Sequence, residues 1–288
     1  MHQKENVIDT NFRLKRRIVS KDSVDPGLSR GCAYFVEETA YKTYLQTHSG
    51  IPQQKSTCSS HNTVNMVDSK VSRGLAATGV ETIDCARHNM KLPNGVGNLQ
   101  KDKRYTNIDY LFFSTLRGCC IDTLNVSYNI ACQWHKNLWE RMSAMLLNLH
   151  LDHLATFVRF FVPKFYLPAH ILKCQTKFSF NFSRNIGRTD GEAPECRWSN
   201  INPVASSIKE MGPGSHRDTF DDHFGALLLR KMGEAKKEKE AHQKAFQELN
   251  EALEPEMTKI WQAEIKSWEE NQNDPSVANP FEAKVTHE

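Results

Sequence analysis

The chain has 288 residues, 39% of them hydrophobic and 25% charged, with a formal net charge of +3, which suits one sizeable domain with an appendage. No window approaches the roughly 18 apolar residues of a membrane helix, and the first twenty residues, which include Lys4, Glu5, Asp9 and Lys15-Arg16-Arg17, hold no apolar signal core. Neither a membrane span nor secretion is expected, an intracellular location is expected, and the eight cysteines read as free thiols rather than a disulfide scaffold.

Charge is unevenly distributed. Residues 226–288 hold nine Lys/Arg against thirteen Asp/Glu, a balance of −4, which leaves +7 for the rest of the chain. A basic body with an acidic helical tail is compatible with a polyanionic partner, and equally with ordinary solvated charge.

In chain order, Val7 to Leu14 alternates apolar and polar residues from Phe12 onward and predicts a strand with Asp9 near its start. Asp25-Pro26-Gly27 marks a loop, and Ala33 to Leu45 suits a short helix. Residues 47–73 are rich in Ser, Gln, Asn and Thr and read as a mobile surface insertion. Gly74 to Cys85 predicts a strand that ends in Cys85-Ala86-Arg87-His88. Pro93 to Lys101, punctuated by Gly and Asn, reads as a turn, and Asn107 to Leu116 as an apolar helix on the sheet. Val126-Ser127-Tyr128-Asn129-Ile130-Ala131-Cys132-Gln133-Trp134 reads as a buried strand that delivers one polar side chain, Asn129, before a helix with Trp134, Leu138, Trp139 and Met142 on one face. Thr156 to Phe165 suits a last core strand. Pro168-Ala169-His170 opens a helix with Cys174 on its first turn. From Ala226 the chain reads as helical, with one apolar stripe of Phe246, Leu249 and Leu253, a break or new start at Pro255, and a second stripe of Met257, Ile260, Trp261, Ile265 and Trp268, all read as packing surface.

Several of these runs resemble one family. Asp9-Thr10-Asn11-Phe12-Arg13-Leu14, the Pro93 to Tyr105 segment, the Asn129 strand, Gly187 to Trp198 and Asn279-Pro280-Phe281 are similar to the motifs of Kyakuja–Dileera–Zisupton (KDZ) transposases, DNA-mobilising enzymes of fungi. The resemblance covers almost the whole chain. It implies an α/β fold, a ribonuclease H-like mixed sheet with flanking helices over residues 1–225, and a helical C-terminal extension over 226–288. It also implies DNA as partner and the nucleus as location. KDZ proteins usually carry a long N-terminal extension with cysteine clusters. A chain in which a core strand follows Met1 so closely is expected to be a truncated copy.

The chemistry that the resemblance implies is phosphodiester cleavage and strand transfer with two magnesium ions, which such sites hold roughly 3.5–4 Å apart on carboxylates. The implied ligands are Asp9, the residue at 129, and either Glu192 or Glu195. Position 129 is an aspartate in the family and an amide here, so the cleft lacks one negative charge. Asp122 lies seven residues upstream of it, about 23 Å along an extended strand and on the opposite face, and does not replace it. The family's Arg and His are replaced here by Cys196 and Tyr166. Together these departures predict a degenerate, inactive centre. An active nuclease that tolerates Asn129 and a non-catalytic binding protein, DNA-directed or zinc-stabilised, are the alternatives. For zinc, Cys85 and His88, with His170 and Cys174, have legal spacings, but they lie about 80 residues apart, so only the fold can bring them together.

Overall fold

The structure, a computed structural model, describes residues 3–28, 33–48, 58, 74–100, 105–183, 186, 189–192, 198–271, 274, 276, 277 and 280. The chain divides into two compact units, Met1–Leu227 and Leu228–Glu288. Apart from residues 47, 48 and 58, the expected insertion over 47–73 lies outside the described residues.

The first unit is built on a five-stranded mixed sheet. Its strands are β1 (Gln3–Asn11), β4 (Gly79–Cys85), β5 (Met90–Leu99), β6 (Thr123–Tyr128) and β7 (Phe157–Phe161). Their spatial order is β5-β4-β1-β6-β7. β4 runs antiparallel to both β1 and β5, and β1, β6 and β7 are mutually parallel, so β4 alone opposes the other four. A small ribbon pairs β2 (Arg16–Arg17) with β3 (Leu75–Ala77). β4 reads Gly-Val-Glu-Thr-Ile-Asp-Cys and is buried along nearly its whole length, as an interior strand covered on both faces must be.

Helices cover the two faces. On one, Ile8, Ile83, Leu124, Val126 and Tyr128 pack with α2 (Tyr105–Leu116), with α3 (Ala131–Trp134) and with α4 (Leu138–Ser143), and α1 (Glu38–Thr47) joins this layer through Tyr41 and Tyr44. α2 is buried around nearly its whole circumference because sheet and helices enclose it. On the other face Val80 and Val96 pack against Trp198, Phe220 and Phe224. α5 (Leu172–Lys177) follows β7, and α6 (Ala205–Ile208) precedes α7 (Pro213–Ala252). Each fully buried Leu, Ile or Phe in these two layers contributes about 1.5–3 kcal/mol relative to exposure.

The second unit is helical: it takes in the later part of α7 and α8 (Pro255–Glu270), which Pro255 starts from its first turn. Phe246, Leu249, Met257, Ile260 and Trp261, expected as packing surface, are exposed. Among the described residues, no helix is long and apolar enough to cross a membrane.

Three local expectations change. β1 begins at Gln3 and ends at Asn11, so Asp9 stands near its end rather than its start. The run from Pro93 is not a turn but most of β5. Its glycines serve packing: a Cβ at Gly97 would lie 2.7 Å from a methyl of Leu111, and one at Gly95 2.9 Å from Thr115 of the same helix. The predicted helix after Asn129 is α3, a 3₁₀ turn over His135–Asn137, and α4.

Candidate functional site

The parallel pairing of β1 with β6 sets the geometry. The register runs from Gln3 opposite Thr123 to Ile8 opposite Tyr128. Asp9, still inside β1, and Asn129, just past the end of β6, are the next residues, so their backbones stand as neighbours about one strand spacing of 4.8 Å apart. Alternation places Asp9 on the face shared with Val7, Asn11 and, across the antiparallel pair, Thr82.

Trp198 covers this face. Its indole Nε1–H donates to Asp9 Oδ2 at 2.5 Å, and its ring lies 4.0 Å from the Lys91 ammonium. Lys91 is itself buried; it donates to Asp84 Oδ2 at 2.7 Å and to Thr82 Oγ1 at 3.0 Å. One polar chain thus runs Asp84, Lys91, Trp198, Asp9 across three strands and a helical turn. The Asp84–Lys91 pair did not stand out in the sequence, because neither residue belongs to a spaced motif; Trp198 closes the Gly187 to Trp198 run, but nothing in that run marks it as the partner of Asp9.

Asp9 and Trp198 line an open cleft of about 690 Å³ with Asn11, Arg13, Tyr166 and Asn202 among the other walls. Asn11 Nδ2–H donates to Asn202 Oδ1 at 2.8 Å, and the Asn11 carbonyl oxygen Oδ1 accepts from the Arg13 backbone N–H. Asp9 is the sole carboxylate among the described residues of this cleft, and the Arg13 guanidinium offsets it. Asp84 shares the face, but Lys91 holds its charge.

The Gly191 loop also reaches this side of β6. Gly191 adopts φ +76°, and a Cβ there would stand 2.6 Å from Ser127 Oγ, two residues before Asn129. Glu192 Oε1 accepts from the Phe165 backbone N–H at 2.9 Å, its own N–H donates to Asp190 Oδ1, and Lys164 N–H donates to the Asp190 carbonyl. Glu192 therefore braces the segment that carries Tyr166 into the cleft. Glu195 and Cys196 lie outside the described residues.

Magnesium takes oxygen ligands and leans on carboxylates. Two dications need several negative charges, and the described residues at the cleft offer one carboxylate, Asp9, bonded to an indole N–H, with the neutral amides of Asn11 and Asn202. The donor set of the described residues does not fit a two-magnesium centre.

A second constellation fits a metal better. Cys58, Cys132, His170 and Cys174 are all buried, and one ligand atom from each lies within 4.8 Å of every other. His170 and Cys174 meet as the sequence allowed, although His170 precedes α5 in extended conformation rather than sharing its first turn. Their partners are not Cys85 and His88, which pair with each other at the β4–β5 turn, Cys85 Sγ to His88 Nδ1 3.2 Å. Nearness in sequence made that pair look like half a site. Cys58, a lone cysteine in a Ser/Gln/Asn-rich stretch, and Cys132, inside the Asn129 run, were the overlooked signals.

Burial pushes the Cys132 thiol up to about 12 and raises Cys174 as well. Below α3, Asp109 accepts from Trp134 Nε1–H at 2.7 Å and from Arg141 Nε–H at 2.6 Å, and burial outweighs Arg141 in raising its carboxyl.

The family described as Kyakuja-Dileera-Zisupton transposase matches residues 5–227. No curated protein and no solved structure matches the chain.

Proposed function

The chain belongs to the Kyakuja–Dileera–Zisupton transposase family, and from that premise we propose that it is a nuclear, DNA-binding remnant of such an enzyme whose strand-cleaving centre is disabled at Asn129. The observation that carries this reading is the β1–β6 register, whose last pair is Ile8 opposite Tyr128, so that Asp9 and Asn129 come next on neighbouring parallel strands. Strand ends of this kind are where carboxylates converge on a pair of metal ions in a ribonuclease H-like enzyme. The sheet order β5-β4-β1-β6-β7, with β4 alone opposing the others, supports that fold assignment.

At position 129 the change from carboxylate to amide keeps the shape of the side chain and removes its charge. An amide oxygen is a weak ligand for a dication, and Asp9 alone does not balance two. The remaining polar groups suit contact with a nucleic-acid backbone rather than its cleavage: Arg13 supplies a cation in the cleft, and Tyr166 and Asn202 supply neutral hydrogen-bonding groups.

The test is a plasmid-nicking assay in magnesium, run on the wild-type chain and on Asn129→Asp. Wild type is expected at background and Asn129→Asp above it. Wild-type nicking that Asp9→Asn abolishes would refute the disabled centre. DNA binding is measured across a salt series. A steep fall of affinity with salt is expected when lysines and arginines displace counterions, and absent or salt-independent binding removes the DNA partner from the reading.

A further inference from the structure

We infer that Cys58, Cys132, His170 and Cys174 form a closed, structural zinc site that ties Cys58 to the strand-to-helix turn following Asn129. The first observation is convergence from three separated parts of the chain. Cys58 comes from between α1 and β3, Cys132 from the first turn of α3, and His170 and Cys174 from either side of the start of α5.

The distances agree with one ion. Zn–S bonds of about 2.3 Å and Zn–N bonds of about 2.0 Å at tetrahedral angles imply edges of roughly 3.6 Å between S and N and 3.8 Å between sulfurs. Cys58 Sγ lies 3.3 Å from His170 Nδ1 and Cys132 Sγ 3.4 Å from the same nitrogen. That makes Nδ1 the ligating atom of the imidazole.

Donor type and enclosure select the metal and its role. Three thiolates and one imidazole in a compact set favour zinc over hard cations such as magnesium. Four protein ligands, all buried, leave no open position for water or substrate, which is the mark of a structural rather than a catalytic site. A disulfide would join two of the sulfurs and leave the third thiol and the histidine out; a single ion engages all four.

The surroundings are built to hold the ligands and spread their charge. Gln133 Nε2–H donates to Cys132 Sγ at 3.5 Å, while Lys136 Nζ donates to Gln133 Oε1 at 3.0 Å, so a cation lies one amide away from the sulfur. Gln175 Nε2–H donates to the carbonyl oxygens of His170 and Pro168 and fixes the turn that presents the imidazole. Such outer contacts orient ligands and tune the metal. On binding, each coordinating thiol releases its proton to solvent.

The experiment is metal analysis of the full-length protein purified without chelator. About one zinc per chain is expected. Cys132→Ser and Cys58→Ser are expected to reduce it to background, and Cys85→Ser to leave it unchanged. Cobalt(II) exchanged into the wild-type chain reads the site without mutation, through the intense visible bands of a tetrahedral thiolate complex. Chelation is expected to lower the thermal midpoint. A metal-free protein with an unchanged midpoint, zinc lost with Cys85→Ser alone, iron in place of zinc, or a disulfide between two of the three thiols would each overturn the inference. None of these readouts uses DNA or nicking, so the site stands or falls apart from the proposed loss of catalysis.

Discussion

Asn129 and Cys132 are three residues apart and belong to opposite kinds of site. Asn129 directly follows β6, and on the proposed reading its position once supplied charge. Cys132 lies in α3 in a buried interior, where its sulfur stands close to three other candidate ligand atoms. On that reading an exchange of aspartate for asparagine keeps side-chain volume and is expected to leave the β1–β6 register in place. A change at Cys132 leaves three buried polar groups around a gap, and the fold registers it at once. Chemistry at the cleft is therefore separable from stability, whereas the buried cluster and stability are one property.

The largest expected effect tests the support of α3. Arg141→Ala leaves Asp109 fully buried with only the indole of Trp134 as a donor partner, and the loss of one partner of such a pair costs about 3–5 kcal/mol. Chemical denaturation of the two proteins measures it; a cost below about 1 kcal/mol, the level of an ordinary surface pair, would mean that α3 is held some other way.

The next prediction strikes the cleft side of β6. Gly191→Ala combines a positive φ with a Cβ 2.6 Å from Ser127 Oγ, and strain and overpacking of this sort cost about 1–3 kcal/mol each. A thermal midpoint equal to that of the wild type would show that the loop does not press on the strand.

A third effect depends on pH. His216 is fully buried between Phe35 and Phe220, and neither ring nitrogen has a hydrogen-bond partner. Burial, followed by the nearby Arg16 and Arg217, pushes its pKa down to about 3. The unfolded chain takes up a proton near pH 6.5 that the folded chain refuses. Stability from this residue is thus complete above that pH and declines as pH falls toward 3, by up to about 1.4 kcal/mol per pH unit. Measured by denaturation at each pH, the fall in stability between about pH 7 and about pH 4 should be steeper for wild type than for His216→Phe. Parallel pH profiles would count against it.

The smallest effect sharpens the contrast most. Asn129→Asp should change stability by under about 1 kcal/mol, since a half-buried polar residue at a strand end keeps its shape. A loss of several kcal/mol would tie the cleft to the core and erase the distinction drawn above.

How far the sequence revealed this molecule differs by region. Elements whose apolar periodicity matches their environment were legible: α2, β6 and β7 lie within a few residues of expectation. β5 was not, because glycine in sequence signals a turn and here answers to the closeness of Leu111 and Thr115. β1 starts in the polar run Gln3-Lys4-Glu5-Asn6, which pairing with β6, joined by β4 from Asn6 onward, and not local propensity holds extended. Asp9 and position 129 were singled out through motif resemblance alone, while the bond of Trp198 to Asp9 and the Asp84–Lys91 pair emerge only from tertiary contact. The metal cluster shows the same limit: His170 and Cys174 are one short spacing, but Cys58 lies more than a hundred residues away from them.

The indole of Trp198 has a consequence of its own. With a carboxylate at its N–H and an ammonium against its ring, this chromophore sits in a local electric field set by the two charges beside it. Any cation that takes Asp9, or any strand that draws Lys91 aside, must alter that field, so the emission of Trp198 is a built-in optical gauge of whether the old cleft is occupied.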